Sequence, residues 1–465
     1  MKRRKFVSII LTFMITMSLI PTNYAFAAGA TGDFTVSGGT LGTDYSYSDN
    51  VLTVLKSTKL TISGTTTNDR IVVASGVEAN LVLSNLSITT SYTNNSDNSP
   101  LSLKDAGESV ITLQEGTTNT LDGSGAGNYA PGIFVPNGSL LTINGTGRLT
   151  AKGSTHWPGI GRNGNGNIKI ESGEITAIGS TYGAGIGGSR TYDGGNISIK
   201  GGTIIAIGSD YADGIGGGYM GAGGNITIDG GTITATGGVG GSSIMGGPGI
   251  NGNITINGGT ITATSGAYWN GNFGIGGTLT TGTNGNAFII ASSIENTGNS
   301  ADWSGVVFIG NNGKVYGNPT ISTDEEIPSG KTLTIESGMS MTVASGTTLT
   351  NNGTIIVKDG GLLTNNGTIE GRGTITNDGK VVNTNRIVCK GNIKRNGTLE
   401  NSGEIELIFD TNDIVLDGEV PIPQDITVTK EGKCYVNDGC TLTIEGKLNN
   451  QGEILYSRPS AVPYN

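Results

Sequence analysis

Cysteine, proline and charged side chains are all scarce in this sequence, and each scarcity excludes a class of protein. Only three cysteines occur, late in the chain, so disulfide bonds are not the framework of the fold, although a bond between Cys434 and Cys440 stays open. Charged residues make up 14% of the chain, against a usual share of roughly 25%, which argues against long solvent-facing helices. The 12 prolines are too few for a collagen helix.

Positive charge is also in short supply, with 27 basic residues against 37 acidic ones and a net charge of −10. Basic residues open the chain, an apolar run from Val7 to Ile20 is too short to span a bilayer, and Ala25-Phe26-Ala27 fits a cleavage site. We therefore predict a secretory signal peptide over 1–28 and a secreted, extracellular protein, with cell-surface association left open. Removing four basic residues with the signal takes the net charge from −10 to −14. Such a chain is not expected to bind nucleic acid or to contain a further transmembrane segment.

Glycine, by contrast, is abundant at 81 residues, and much of it lies in a repeat of 28 to 30 residues. A Gly-Asn-Ile-x-Ile motif recurs with its asparagines 29, 29 and 28 residues apart. A second short strand with a central alanine follows each motif, and a third apolar site follows in a glycine-rich stretch. The asparagines are Asn167, Asn196, Asn225 and Asn253; the alanines are Ala177, Ala206, Ala235 and Ala263; the third sites are Ile186, Ile215, Ile244 and Ile275.

Three short strands per repeat predict an all-β, right-handed parallel β-helix over 29–287, because one coil cannot bury its apolar faces alone whereas stacked coils can. Weaker copies upstream predict third strands at Val72-Val73, Leu101–Leu103 and 133–135. The repeated asparagines are interpreted as a ladder whose amides hydrogen-bond from coil to coil, rather than as ligand-binding groups.

The repeat changes after residue 324. Short units with Asn-Gly turns then predict a second, short-repeat β-solenoid over 325–465, whose handedness the sequence leaves open. The stretch 288–324 connects the two solenoids and contains Trp303 and the apolar run 305–309, so it is expected to pack as a cap or as irregular coils.

At these motifs the sequence resembles glycine-rich secreted or surface proteins of Gram-positive anaerobes. The resemblance is carried by Gly-Ala-Gly-Ile-Gly-Gly at 183–188, the motif at 194–204, the segment 327–335 and the Asn-Asn-Gly-Thr-Ile units at 351–355 and 365–369. Such proteins are described as adhesin-like and as carbohydrate-binding-domain proteins with a pectate-lyase-like β-helix. The resemblance therefore implies that fold, and a polysaccharide or cell-wall glycan as the partner.

Aromatic residues recur just after the second strand of successive coils and give the main candidate binding site. Because aromatic faces stack on sugar rings, this column predicts carbohydrate binding; the alternative is that the rings shield the corner of the solenoid or pack under Tyr192 and Tyr219. The column comprises His156, Trp157, Tyr182, Tyr211, Tyr268 and Trp269.

Acidic residues beside this column suggest a second kind of site. Asp193, Asp210 and Asp213 lie on successive loops and could bind Ca²⁺, although solvated turn acids are the alternative. With Arg162 and Arg190 they could also form a minimal site for a polysaccharide lyase that acts on an acidic glycan. We favour a non-catalytic carbohydrate-binding, adhesin-like protein, and keep the lyase and a structural spacer or matrix protein as alternatives. A threonine column at Thr176, Thr234 and Thr262 also leaves a surface-binding or ice-binding solenoid open.

Overall fold

The computed structural model describes residues 31–91, 98–104, 107–125, 130–162, 166–240, 247–266, 273–282, 286–297, 300, 303–390, 393–395 and 397–409, and then seven separate strands up to residue 456. The predicted signal peptide over 1–28 lies outside these residues, as does Cys440. No described segment forms a helix that is long and apolar enough to cross a membrane.

The secondary-structure elements of the described residues are β-strands. The strands up to the connecting segment are β1 (Phe34–Ser37), β2 (Tyr45–Ser48), β3 (Val51–Val54), β4 (Lys59–Thr66), β5 (Arg70–Val73), β6 (Asn80–Thr89), β7 (Leu101–Leu103), β8 (Glu108–Leu113), β9 (Thr118–Asp122), β10 (Ile133–Phe134), β11 (Leu140–Gly145), β12 (Arg148–Lys152), β13 (Ile160–Arg162), β14 (Asn167–Ile170), β15 (Glu174–Ile178), β16 (Ile186–Gly188), β17 (Asn196–Ile199), β18 (Thr203–Ile207), β19 (Ile215–Gly216), β20 (Asn225–Ile228), β21 (Thr232–Thr236), β22 (Ile250–Ile256), β23 (Thr260–Thr264), β24 (Ile275–Thr281), β25 (Ala287–Ala291) and β26 (Ile294–Asn296).

The remaining strands are β27 (Gly305–Ile309), β28 (Asn312–Tyr316), β29 (Thr320–Ile321), β30 (Glu325–Ile327), β31 (Thr332–Ile335), β32 (Ser340–Val343), β33 (Thr348–Asn351), β34 (Thr354–Val357), β35 (Leu362–Asn365), β36 (Thr368–Gly371), β37 (Thr374–Asn377), β38 (Lys380–Asn383), β39 (Arg386–Cys389), β40 (Ile393–Arg395), β41 (Thr398–Asn401), β42 (Glu404–Phe409), β43 (Ile414–Leu416), β44 (Val420–Ile422), β45 (Ile426–Val428), β46 (Lys433–Val436), β47 (Leu442–Ile444), β48 (Leu448–Asn450) and β49 (Glu453–Tyr456).

The first part of the chain is a three-faced parallel solenoid, as predicted. Face A contains β8, β11, β14, β17 and β20; face B contains β9, β12, β15, β18, β21, β23 and β25; face C contains β5, β7, β10, β13, β16 and β19. Alternating side chains point inward, so that isoleucine lies over isoleucine on face A and alanine over alanine on face B. These apolar columns form one continuous buried core, which is what stabilises a stack of short strands.

The asparagine ladder is confirmed on face A. The Asn196 amide donates to the Asn167 side-chain oxygen at 2.8 Å, Asn225 donates to Asn196 at 2.9 Å, and Asn253 donates to Asn225 at 3.2 Å. The three third strands predicted upstream are confirmed as well, since they pair within face C.

One position of the predicted repeat is wrong. Ile244, which was expected to follow Ile215 on face C, lies outside the described residues, and the residue in register with Ile215 is Ile250, which pairs in turn with Ile275. The reason is a longer connection after β21. In this coil β22 runs from face C directly into face A, so the loop that separates these faces in the preceding coils is missing.

Antiparallel pairs occur at both ends of this solenoid. At the start β1 pairs with β4 and β2 pairs with β3. Within the predicted connecting segment, β27 continues face B beside β25 and then turns back as a hairpin with β28. β28 pairs in parallel with β31 of the second part of the chain. Trp303 is buried against the edge of the Tyr316 ring at 5.1 Å, and Phe288 packs on Phe308 at 5.7 Å.

The second part is a narrower three-faced solenoid with coils of 18–22 residues, judged by the register of Leu333, Ile355, Ile375 and Ile393. A ladder of asparagines lies inside it: Asn365 donates to Asn383 at 2.7 Å, and Asn383 donates to Asn401 at 2.6 Å. Inward asparagines thus close the tight corners of these small coils.

Candidate functional site

The candidate site lies at the corner of the first solenoid where two kinds of loop meet. The BC loops, 153–159, 179–185 and 208–214, connect face B to face C, and the CA loops, 189–195 and 217–224, return the chain to face A. The strands of face C between them are only two or three residues long, so both loops emerge close together. We define the ring cluster as His156, Tyr182, Tyr211 and Tyr219.

Three of these residues occupy one strained position in successive BC loops. His156, Tyr182 and Tyr211 have φ angles of 77°, 72° and 65°, in the left-handed region that side chains other than glycine rarely adopt. The backbone is fixed there by hydrogen bonds between coils: the His156 N–H donates to the Thr181 carbonyl at 2.8 Å, and the Tyr211 N–H donates to Val239 at 3.1 Å.

The CA loops reach across to the same corners. The carbonyl of His156 accepts the N–H of Arg190 at 3.0 Å, and the carbonyl of Tyr182 accepts the N–H of Tyr219, also at 3.0 Å. Arg190 and Tyr219 occupy equivalent positions of successive CA loops. The corners at His156 and Tyr182 therefore turn their carbonyls toward the CA loop of the next coil, and these contacts bring Arg190 and Tyr219 to the cluster.

The rings form a continuous stack. The His156 and Tyr182 rings are nearly parallel, at 8°, with centroids 5.4 Å apart, and Tyr182 and Tyr211 are 5.8 Å apart at 25°. Tyr219 packs at a tilt against both tyrosines, at 5.0 and 5.4 Å. All four residues are half-buried, so one side of the stack faces solvent. His156 and Tyr211 both stack on the Tyr182 ring, which is the central ring of the column.

Arg190 gives the cluster a positive charge. This exposed guanidinium lies 5.3 Å from the centre of the Tyr182 ring, within range of a cation–π contact. Burial lowers the pKa of His156 below its usual range, and the positive charge of Arg190 lowers that pKa further. The imidazole therefore tends to be neutral, with one nitrogen able to donate a hydrogen bond and the other able to accept one.

Other members of the predicted aromatic column are placed differently. Trp157 is half-buried and packs against Phe134 at 6.4 Å. Tyr268 and Trp269 lie outside the described residues. By the register of β18 with β21, the position equivalent to Tyr211 in the next coil is Gly240, so the column has no side chain there. Val239, the residue before it, is 47% exposed. From the sequence, Tyr219 is expected only as a residue under which the column rings could pack. Its spacing of 29 residues from Arg190 is the signal that places both residues in one register.

The three aspartates predicted as Ca²⁺ ligands have separate environments. Asp210 is exposed, and Asp193 is exposed with one carboxylate oxygen accepting the N–H of Ala222 at 2.7 Å. Asp213 is 4% exposed, its carboxylate accepts the N–H of Gly217 at 2.6 Å, and burial raises its pKa well above the usual range. Nowhere in the described part of the chain do three His, Cys, Asp or Glu side chains form a group suited to a metal ion. The Ca²⁺ site stays a prediction without such a group to support it.

The arginines of the predicted lyase site are also described only in part. Arg162 ends β13 on face C, and Arg190 lies on the following CA loop over Tyr182. The described contacts of Arg190 are thus with the ring cluster. A hydrolase or lyase requires a base or a pair of carboxylates that converge on one bond, and Asp213 is directed into the protein instead.

Comparison with protein families gives one match, to the family described as carbohydrate-binding domain-containing protein, over residues 48–379. Because this match covers most of the chain, including the whole ring cluster, the chain belongs to this family. Family membership implies a glycan as the ligand. A search among curated proteins gave no match, and neither did a search among solved structures.

Proposed function

We propose that the protein is secreted and binds polysaccharide or cell-wall glycan without catalysis, and that the ring cluster with Arg190 is its contact surface. Family membership supports a carbohydrate ligand, and the predicted signal peptide supports secretion. The observation that carries the location is the placement of bulky rings at strained corners in three successive coils.

An estimate of stability supports a role beyond packing. A side chain in left-handed backbone costs about 1–2 kcal/mol relative to glycine, so three corners cost about 3–6 kcal/mol. Aromatic pairs contribute about 0.5–1.5 kcal/mol each, and the four pairs in the cluster therefore return about 2–6 kcal/mol. The two totals offset each other. In a chain with 81 glycines, glycine at these corners would serve stability about as well.

The chemistry of the exposed side of the cluster suits sugars. Phenol hydroxyls, the neutral imidazole of His156 and the guanidinium of Arg190 are the hydrogen-bond partners that sugar hydroxyls use. The rings follow one another by 5.4 and 5.8 Å along the solenoid, a spacing comparable to that of successive sugars in a polysaccharide. A glycan chain lying along the solenoid could therefore contact several coils at once, so that weak contacts add up.

The test is retention of the chain lacking residues 1–28 on a panel of insoluble polysaccharides and cell walls. The variant Tyr182→Gly/Tyr211→Gly removes two rings at corners where glycine is relaxed, and Ile205→Ala on face B, another exposed apolar side chain, is the matched control. We expect wild type and control to be retained and the double variant to lose at least about tenfold in affinity, which corresponds to about 1.4 kcal/mol.

Three results would contradict the proposal. Equal retention of the double variant would mean that the rings shield the corner, and no retention of wild type on any polysaccharide would favour the structural spacer. Release of sugar into the supernatant would instead indicate an enzyme.

A further inference from the structure

The position of Tyr219 in the ring cluster depends on the 217–224 loop that carries it. The backbone of Tyr219 is bonded to the preceding coil: its N–H donates to the Tyr182 carbonyl, and its carbonyl accepts the N–H of Thr191 at 2.7 Å. The ring then contacts both Tyr182 and Tyr211. The loop is rich in glycine. Backbone hydrogen bonds from Gly218 to Tyr192 and from Gly194 to Ala222 tie it to the neighbouring CA loop, and two side chains add anchors at its ends.

The first anchor is the Asp213 carboxylate, at the base of the loop. In the preceding coil, β16 runs through Gly188, whereas β19 ends at Gly216, so Gly217, the counterpart of Gly188, lies beyond its strand. The Gly217 N–H donates instead to the Asp213 carboxylate at 2.6 Å. The backbone hydrogen bond across this turn is the same in both coils. The Ala184 N–H donates to the Gly188 carbonyl at 3.0 Å, and the Asp213 N–H donates to the Gly217 carbonyl at 3.1 Å. The side-chain bond is what the coil with Tyr219 adds.

A buried carboxyl group at this position is costly, which makes its presence informative. Asp213 is almost fully buried, and burial raises its pKa despite the hydrogen bonds from Gly217 and the Asn251 side chain. The equivalent residues in the preceding and following coils are Ala184 and Pro248, so the core of the solenoid does not need an acid here. The coil of Asp213 differs from the preceding coil in carrying Tyr219 rather than Arg190 on its CA loop, and from the following coil in having a CA loop at all.

The second anchor holds the far end of the same loop. Asp193, from the CA loop of the preceding coil, accepts the N–H of Ala222 at 2.7 Å. Asp193 is exposed to solvent. The loop is thus bound at its base by a carboxylate from inside the solenoid and near its end by a carboxylate from the neighbouring coil.

We infer that Asp213 and Asp193 are positioning residues that hold the 217–224 loop so that Tyr219 stays against Tyr182 and Tyr211. The glycan-binding consequence of this inference rests on the function proposed above. The arrangement of the rings does not rest on that function, and it can be measured without a glycan.

The experiment combines two measurements on Asp213→Ala, Asp213→Asn and Asp193→Ala, with Tyr219→Gly as the reference. The first is the near-ultraviolet circular dichroism of the tyrosines, which reports ring packing without any ligand. The second is affinity for the polysaccharide that retains wild type. Asp210→Ala is the matched control, because Asp210 is an exposed aspartate beside Tyr211.

We expect Asp213→Ala to reproduce most of the change in the dichroism spectrum that Tyr219→Gly causes and to weaken glycan binding by the same factor. Asp213→Asn keeps an acceptor for Gly217 and is expected to keep the wild-type spectrum. In a Tyr219→Gly background, Asp213→Ala should cause no further loss of binding, since residues that act through one another are not additive.

An unchanged dichroism spectrum in both Asp213→Ala and Asp193→Ala would overturn the inference, and so would additive losses in the double variant. If Asp213→Ala does not fold, Asp193→Ala at the exposed anchor decides, with loss of the ring signal expected. If wild type binds no glycan but the ring signal behaves as expected, the proposed function fails and the positioning role stands.

Discussion

The variant Tyr182→Gly should be more stable than Tyr182→Ala, which is the reverse of the order at most sites. Alanine ordinarily is the more stabilising of the two by about 0.5–1 kcal/mol, because glycine has more conformational freedom to lose. The φ angle of Tyr182 is 72°, where alanine is strained by about 1–2 kcal/mol and glycine is not. Tyr182→Gly should therefore be more stable than Tyr182→Ala by about 1 kcal/mol.

Both variants lose the same ring contacts. Tyr182 contacts three rings and Arg190. A half-exposed contact of this kind contributes about 0.5 kcal/mol to stability, so the four contacts contribute about 2 kcal/mol. Relief of strain offsets about half of this in the glycine variant. We thus expect Tyr182→Gly to lose about 1 kcal/mol and Tyr182→Ala about 2 kcal/mol.

The assay is urea unfolding followed by far-ultraviolet circular dichroism, with equal slopes required before midpoints are compared. A solenoid can unfold by segments, so the near-ultraviolet tyrosine signal is followed in parallel as a local probe. An alanine variant as stable as the glycine variant, or more stable, would refute the account of the corner as a strained position.

Three further predictions concern the core, the imidazole and the aspartates. Ala206→Leu should destabilise the chain by about 1–3 kcal/mol in urea unfolding, because this alanine is fully buried between the alanines of the coils on either side; a neutral effect would mean that the interior is wider than described. Arg190→Gln should raise the pKa of His156 in an NMR titration, because it removes a positive charge that disfavours protonation. Since the folded chain holds the His156 proton less tightly than the unfolded chain, stability should fall as pH drops below the usual histidine pKa, and less so in Arg190→Gln; an unchanged pKa would contradict this. Glycan retention should be the same with and without EDTA, because the Asp213 carboxylate is buried and bonded to Gly217. A loss of retention with EDTA would contradict this and support the predicted Ca²⁺ site.

Much of the fold could be predicted because every stacked coil must bury its apolar side chains against its neighbours in the same way. The spacing of Asn167, Asn196 and Asn225 reports the length of a coil directly, and the ladder of amides follows from it. Prediction failed at Ile244, where a longer connection moved the face C residue to Ile250. Apolar periodicity within strands carries no information on how long a loop is before the next strand begins.

The candidate site could be predicted only in part, for a related reason. The column of His156, Tyr182 and Tyr211 is visible from spacing, but the contact of Tyr219 with it depends on a CA loop crossing to a BC loop. Likewise, nothing in the sequence beside Asp213 indicates that its side chain turns inward to Gly217. These contacts arise from loop paths rather than from the repeat.

The most direct test of glycan binding at the ring cluster is chemical modification of tyrosines, mapped by mass spectrometry with and without the polysaccharide that retains the protein. The account predicts that glycan protects Tyr182, Tyr211 and Tyr219, while Tyr47, half-buried at the distant start of the solenoid, reacts equally in both conditions. Equal reactivity of all four tyrosines with glycan bound would contradict it, since the glycan would then lie elsewhere.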